Sequence, residues 1–424
     1  MTLAIMGIAI VVLLFFRVPI AFAILGPCYC YLWYTEQSLG SGLRVAAQGV
    51  NSWPLLAVPL FVLVGVSATR AGIADRLFDF ALAMVGRVRG SLGYVNIGVS
   101  VGFSWMSGSA LADAAGLGSV EVPAMRKRGY PARFAVGLSG ASSAIGPIMP
   151  PSIPAIVYAA VAVVSTGALF AASVVPAFLL AIALAITVYI WARKREELRT
   201  ERFSMAVLGR TFVRASGAML TPVIILGGIL GGLFTPTEAA AIAAVYMLLL
   251  GFIYRTVKPR DLFGIFRDTV MTTASIMIIL AASTLLGWIL AREQVPQTVA
   301  DAIFSFTDNK VVFLLLVNVF LLLFGAIIEP TSALVISVPI LLPIAMEFGI
   351  DPIHFGVIVI LNLMIGLLTP PMGGVVFVLS SVTGIPIADV FRGVSPFLIP
   401  LIAVLMVVTF VPELALWLPS LVNL

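Results

Sequence analysis

Charge is what this chain has least of: Asp, Glu, Lys and Arg make up 10% of its 424 residues, whereas 61% are hydrophobic. Soluble domains carry roughly a quarter charged residues, so the composition excludes a soluble globular protein and leaves no room for a large soluble domain. Histidine occurs once, at His354, and the two cysteines, Cys28 and Cys30, share one apolar segment, which excludes ordinary zinc and haem sites and a disulfide framework. No basic residue precedes the first apolar run, Leu3 to Phe16, and no polar domain follows it. That run therefore reads as a membrane span rather than a signal peptide. A net charge of +5 points to no acidic partner and to no nucleic acid, because in a membrane chain the placement of Lys and Arg matters more than their sum.

Apolar runs near the roughly 20-residue spanning length recur from end to end, which predicts an all-α polytopic membrane protein. Residues 1–192 read as a first repeat, with scaffold spans 2–16, 18–35 and 53–70, an amphipathic arm helix 73–88 lying flat, a re-entrant hairpin 92–128, a broken helix 131–163 and a span 168–192. Residues 193–214 form a charged cytoplasmic linker. Residues 215–424 repeat the plan, with scaffold spans 215–232, 236–255 and 268–291, an arm helix 296–308, a hairpin 311–348, a broken helix 352–382 and a last span 393–412.

The two repeats are tied by an offset of 220 residues. It superposes Gly146-Pro147-Ile148-Met149-Pro150-Pro151 on Gly366-Leu367-Leu368-Thr369-Pro370-Pro371, and pairs Pro123 with Pro343, Ser142 with Asn362 and Pro176 with Pro396. Tandem prolines remove two amide donors and strand the carbonyls of the preceding turn, which a bilayer interior tolerates only beside a cavity or an ion. Matched breaks in two halves point to a transport site near the midplane. Prolines that merely shape packing explain one kink, not a pair in register. An odd number of crossings, five, separates the hairpins, so the repeats are expected to be inverted. That topology collects the Lys and Arg residues on one side, leaving only Arg44, Arg292 and Lys310 opposite, and the positive-inside rule then puts both termini outside the cytoplasm.

Carbonyls near Gly146, Met149 and Pro151, facing the first tip, form one candidate cation cage, and Gly366, Thr369 and Met372, facing Gly325, form its counterpart. The first tip, Ser104 to Ala110, offers the hydroxyls of Ser107 and Ser109, and the second offers Thr331 and Ser332. Ser142 and Asn362, one turn before the breaks, are further candidates for contact with a solute. Small residues in such strings also suit close helix packing. Four acids fall within spans or hairpins: Asp113, Glu121, Glu238 and Glu329. Intramembrane carboxylates suggest proton relay, cation ligation or capping. For Glu238 the capping box is favoured, with Thr235 as N-cap. Gly137-Leu138-Ser139-Gly140 invites a serine-hydrolase reading with His354 as base, but His354 lies at the mouth of a distant span and such short patterns abound among 37 glycines. Gly227-Gly228-Ile229-Leu230-Gly231-Gly232 has no basic companion and reads as a packing face, not a phosphate loop.

Ser107-Gly-Ser-Ala-Leu-Ala-Asp113, Ser139-Gly-Ala-Ser-Ser-Ala-Ile-Gly146-Pro-Ile-Met-Pro-Pro-Ser152, Phe234-Thr-Pro-Thr-Glu-Ala-Ala-Ala241 and Leu368-Thr-Pro-Pro-Met-Gly373 together resemble the large membrane subunit of tripartite ATP-independent periplasmic (TRAP) transporters, over essentially the whole chain. The resemblance implies a subunit, not an enzyme, of a bacterial inner-membrane importer of small organic acids such as C4-dicarboxylates or sialic acid. It implies sodium symport, an elevator movement of hairpins and broken helices against a scaffold, and Na⁺ at two or more sites. Carried over by position, one site falls on Ser104, Gly146, Met149 and Pro151, the other on Gly325, Gly366, Thr369 and Met372. The implied partners are a separate, four-helix small membrane subunit and a periplasmic substrate-binding protein. A stand-alone sodium/carboxylate symporter is the alternative. Single cysteines placed at Ser109 and at Thr331 are expected to react with impermeant thiol reagents from opposite faces of the membrane; labelling of both from one face would refute the inverted arrangement.

Overall fold

The computed structural model describes residues 2–16, 18–86, 88–193, 195 and 204–422, and its regular elements among them are all helical. The chain opens with α1 (Thr2–Phe15), α2 (Ile20–Tyr34), α3 (Leu39–Val50), α4 (Ala57–Arg70) and α5 (Ile73–Val85). A hairpin, α6 (Ser91–Ser107) and α7 (Ala110–Lys127), is followed by the two short helices α8 (Ala132–Ser143) and α9 (Ile153–Ala162) and the long α10 (Thr166–Ala192). In the second half, α11 (Met205–Pro222) passes through a π-helical turn into α12 (Gly228–Leu230), and α13 (Pro236–Ile253), α14 (Leu262–Arg292) and α15 (Val295–Phe306) follow. A second hairpin, α16 (Lys310–Ile327) and α17 (Pro330–Glu347), precedes α18 (Pro352–Gly366), α19 (Gly374–Thr383), α20 (Ile387–Phe410) and α21 (Glu413–Val422).

Local chemistry explains where these helices start. Pro19 opens α2, where a missing amide costs nothing, and Thr235 opens α13 through a complete capping box: Thr235 Oγ1 accepts the Glu238 N–H at 3.3 Å, and the Thr235 N–H donates to Glu238 Oε2 at 2.8 Å. Eight helical stretches among the described residues are long and apolar enough to cross a membrane, among them both arms of the second hairpin. At 10–15 residues, α8, α9, α18 and α19 are each too short for that.

The structure departs from the sequence expectation in four places. Residues 36–52, left without an element, contain α3, which carries three glycines and lies so close to α14 that a Cβ on Gly49 would stand 2.1 Å from Thr284 Oγ1. The spans expected at 215–232 and 268–291 begin earlier, at Met205 and Leu262, because their first turns are amphipathic and project beyond the apolar stretch. The linker is correspondingly narrower than 193–214, and 194 and 196–203 lie outside the described residues. Finally, α21 packs back on α10 after the last expected span.

One large core joins the two halves, and a smaller one groups α1, α2 and α3 with α14. Interlocking is tightest where α8 crosses α20: a Cβ on Gly137 would stand 2.0 Å from the Gly393 carbonyl oxygen, and a Cβ on Gly393 2.3 Å from that of Arg133. The backbones touch, as small residues allow at membrane helix crossings. Alongside, Arg133 reaches Asp389 at 2.7 Å, an exposed pair of the kind that contributes little. Gly137→Leu is therefore expected to lower the thermal unfolding temperature in detergent by several degrees, whereas Arg133→Ala should leave it nearly unchanged; equal losses would contradict the packing account.

Candidate functional site

The first break carries residues 144–152 between α8 and α9, all of them buried. Ile145 O accepts the amides of Ile148 and Met149, and Pro147 O accepts the Ser152 hydroxyl. Among the described residues no hydrogen bond engages the carbonyls of Gly146, Met149 or Pro151. The tip of the first hairpin closes on this turn. Gly108 sits in the left-handed region at φ +57°, and a Cβ there would lie 2.8 Å from Pro151 O. Ser104, buried one turn earlier, gives its carbonyl to the Gly108 N–H at 3.3 Å and its hydroxyl to Val101 O at 2.7 Å. Asp113, fully buried, accepts the Ser107 hydroxyl through Oδ1 and holds Oδ2, without a hydrogen-bond partner, against the Gly146 Cα.

The second break, 367–373, answers the first with a different exposure. Gly325 and Gly366 meet backbone to backbone, a Cβ on Gly366 falling 2.8 Å from Gly325 C. The Met372 N–H donates to Ala326 O at 3.1 Å, and Thr369 donates its amide to Gly366 O at 2.8 Å and its hydroxyl to Ile365 O at 3.0 Å. Gly325, Gly366, Thr369 and Met372 are thus gathered at one contact, but Pro370, Pro371 and Met372 are exposed where their counterparts are sealed. The Gly366 carbonyl already carries one hydrogen bond, which leaves its second lone pair for a further ligand. Both breaks contain a cis peptide, Pro150-Pro151 and Pro370-Pro371.

Between the tips lies a cavity of about 560 Å³. Ser107 and Ser109 line it from the first hairpin, and Thr331, Ser332 and Glu329 line it from the second. Its far wall is α4 and α14, through Gly65, Thr69, Thr272 and Ser275, which the sequence reading did not single out. Their signal was the run of small residues Gly65 to Thr69 inside an apolar helix. Glu329 caps α17, accepting the Ser332 N–H at 3.1 Å and the Thr331 hydroxyl at 2.9 Å, and among the described residues is the one charged residue lining the cavity. The first turns of α7, α9 and α17 also face it.

Ser142 and Asn362, expected as solute contacts, do not line this cavity. Ser142 is buried in a network with Asn96 and Ser100, and Asn362 donates to Asn318 Oδ1 at 2.6 Å, with Thr409 3.2 Å beyond. Ser142 joins its broken helix to the first arm of the hairpin, and Asn362 does so through its amide nitrogen, while its buried Oδ1 has no hydrogen-bond partner. His354 donates its Nε2–H to Val408 O, 2.8 Å away, and is no partner of Ser139.

A polytopic helical protein with a polar-tipped hairpin pair closing on two broken helices belongs among membrane transporters. More specifically, residues 7–414 match the profile of the family described as Tripartite ATP-independent periplasmic transporter, DctM component, and the chain belongs to that family. It is 45% identical to the sialic acid TRAP transporter large permease protein SiaM of Vibrio cholerae over 414 residues, 96% of each chain. It is 40% identical to the C4-dicarboxylate TRAP transporter large permease protein DctM of Pseudomonas aeruginosa, over 87% of this chain and 86% of that one. It is 35% identical to the 2,3-diketo-L-gulonate TRAP transporter large permease protein YiaN of Escherichia coli, over 93% and 94%. The crystal structure of the Alcanivorax borkumensis YdaH transporter, at 16% identity, shares the fold with a TM-score of 0.58 over 89% of this chain and 88% of that one. These relatives are named as transporter permeases, not enzymes.

Two glycines separate clash from backbone strain. Gly108 and Gly129 both have positive φ, but a Cβ on Gly129 meets nothing within 4 Å. Gly129→Ala should therefore cost only the left-handed penalty of about 1–2 kcal/mol, and Gly108→Ala clearly more, with loss of transport; equal unfolding midpoints would show that the tip does not rest on Pro151.

Proposed function

We propose that this chain is the large subunit of an inner-membrane importer that carries a small organic acid inward with at least two Na⁺, by an elevator movement. The observation that carries the reading is the pairing of two broken-helix turns, each closed by a hairpin tip and each holding carbonyls with lone pairs to spare, on either side of one cavity. Oxygen-only cages of that kind suit a hard monovalent cation. Ser104, Gly146, Met149 and Pro151 would hold one ion, and Gly325, Gly366, Thr369 and Met372 the other.

Among the described residues no Lys, Arg or His lines the cavity. An anionic solute there finds its favourable electrostatics in the starts of α7, α9 and α17 and in the nearby ions. The relatives' names span sialic acid, C4-dicarboxylates, 2,3-diketo-L-gulonate and isethionate, which have an anionic acid group in common, a carboxylate in the first three and a sulfonate in the last. A monoanion moving with two Na⁺ carries one positive charge inward, worth about 2.3 kcal/mol per 100 mV of inside-negative potential. In this reading the two repeats, 1–192 and 215–424, are inverted, and both termini are periplasmic. The mobile unit is built from α6–α9 and α16–α19, and α5 and α15 serve as arms. A small four-helix membrane subunit and a periplasmic binding protein complete the transporter, the latter setting which acid is delivered.

In proteoliposomes containing the three proteins, an inward sodium gradient is expected to drive uptake of sialic acid or of a C4-dicarboxylate, and Gly146→Leu or Gly366→Leu to abolish the sodium dependence. Uptake indifferent to sodium, or sodium affinity unchanged in both variants, would reject the ion assignment. Uptake by this chain without a binding protein would favour the stand-alone symporter instead.

A further inference from the structure

Glu121 lies in the middle of the first hairpin's packing against α8, 1% exposed, and no basic side chain is among its partners. Asn96 of α6 donates its amide to Glu121 Oε2 and to Ser139 Oγ, the latter at 2.7 Å. Ser142 donates to Asn96 Oδ1 at 2.9 Å, and Ser100 to Ser142 at 2.9 Å. All five side chains are buried, and Glu121 Oε1 has no hydrogen-bond partner. The chain of bonds therefore runs in one direction, from Ser100 through Ser142 and Asn96 to the carboxylate.

Every member of that chain can also bond the other way. Hydroxyls rotate, and a half-turn of the Asn96 amide exchanges its donor and acceptor ends. With the amide turned, a protonated Glu121 donates to Asn96 Oδ1, Asn96 donates to Ser142, and Ser142 donates to Ser100. One set of atoms thus satisfies both the charged and the neutral carboxyl, without moving a helix. The Asn96 amide group and the Ser139 hydroxyl occupy the approach to Oε2.

We propose that Glu121, with Asn96, Ser100, Ser139 and Ser142, is a reversible proton site carried in the mobile unit, separate from the two cation cages. One proton binds one carboxylate oxygen, the charge goes from −1 to 0, and the proton is released on the other side. Asn96, Ser100, Ser104 and Ser107 recur at intervals of four, four and three residues on α6 and mark the polar face that leads from the network to the cavity. Among the groups on helices packed against α7, Tyr94 lies on α6; Arg133, paired with Asp389, on α8; and Asp75, Arg76 and Asp79 on α5. None lies on α19, and α7 itself adds Asp113, Arg126 and Lys127. The offset of 220 places Leu341 opposite Glu121, so the second repeat has no such site.

The inference rests on the transport reading for its purpose, but its test does not. Difference infrared spectra of the purified transporter between about pH 5 and about pH 9 should show a protonated-carboxyl C=O band that Glu121→Gln removes. If that variant fails to fold, Ser142→Ala and Ser100→Ala, which interrupt the reversal one and two bonds beyond Asn96, should shift the band. A band that is present at every pH, absent at every pH, or unmoved by the serine variants would overturn the site. In proteoliposomes at fixed sodium gradient, each unit of inward pH gradient should raise the limiting accumulation of sialic acid about tenfold, and Glu121→Gln should lose that gain while keeping sodium-driven uptake. Failure of sodium-driven uptake in the wild type bears on the transport reading alone and leaves the infrared result standing.

Discussion

Inside a bilayer every backbone amide and carbonyl must find a partner within the protein, and this chain breaks that rule at two places in register. The rest of the architecture compensates. Each broken helix is covered by a hairpin whose own tip is a helix start, and the covering is close enough that glycine is required where Gly108 meets Pro151 and where Gly366 meets Gly325. Because the tips and the breaks cover each other, neither can be loosened alone. The cavity follows from the same geometry, since two tips approaching from different parts of the chain leave a space against α4 and α14.

The two breaks are nevertheless unequal. Residues 144–152 are buried throughout, whereas Pro370, Pro371 and Met372 reach the surface. The buried acids are distributed just as unevenly. Asp113 and Glu121 both belong to the first hairpin, and the offset of 220 puts Ala333 and Leu341 opposite them. Glu329 stands where the first hairpin has Ser109, and both cap the helix that follows. The positions paired by that offset thus agree in capping and differ in chemistry.

Much of the fold was legible because proline and glycine act locally. Tandem prolines interrupt a helix wherever they fall, and Ser107-Gly108-Ser109 and Glu329-Pro330 end and restart helices by capping alone. The residues at the breaks could be named for the same reason. What could not be read depends on contacts made across the chain. The helix α3 is hidden by glycines whose purpose is a close approach to α14, 235 residues away at Gly49 and Thr284. Ser142 and Asn362 share the polarity and register expected of solute contacts, and only the positions of Asn96 and Asn318 on neighbouring helices reveal that they are already engaged. The wall contributed by Thr272 and Ser275 is likewise invisible until α4 and α14 are brought together.

That no basic side chain among the described residues lines the cavity has a thermodynamic corollary for the proposed carrier. Where fixed countercharge is missing, an anion and the metal ions stabilise one another, and linkage makes the benefit mutual: each binds more tightly when the other is present. Half-loaded states are then the least populated ones, so slippage of ions without cargo, or of cargo without ions, is suppressed by the composition of the wall itself.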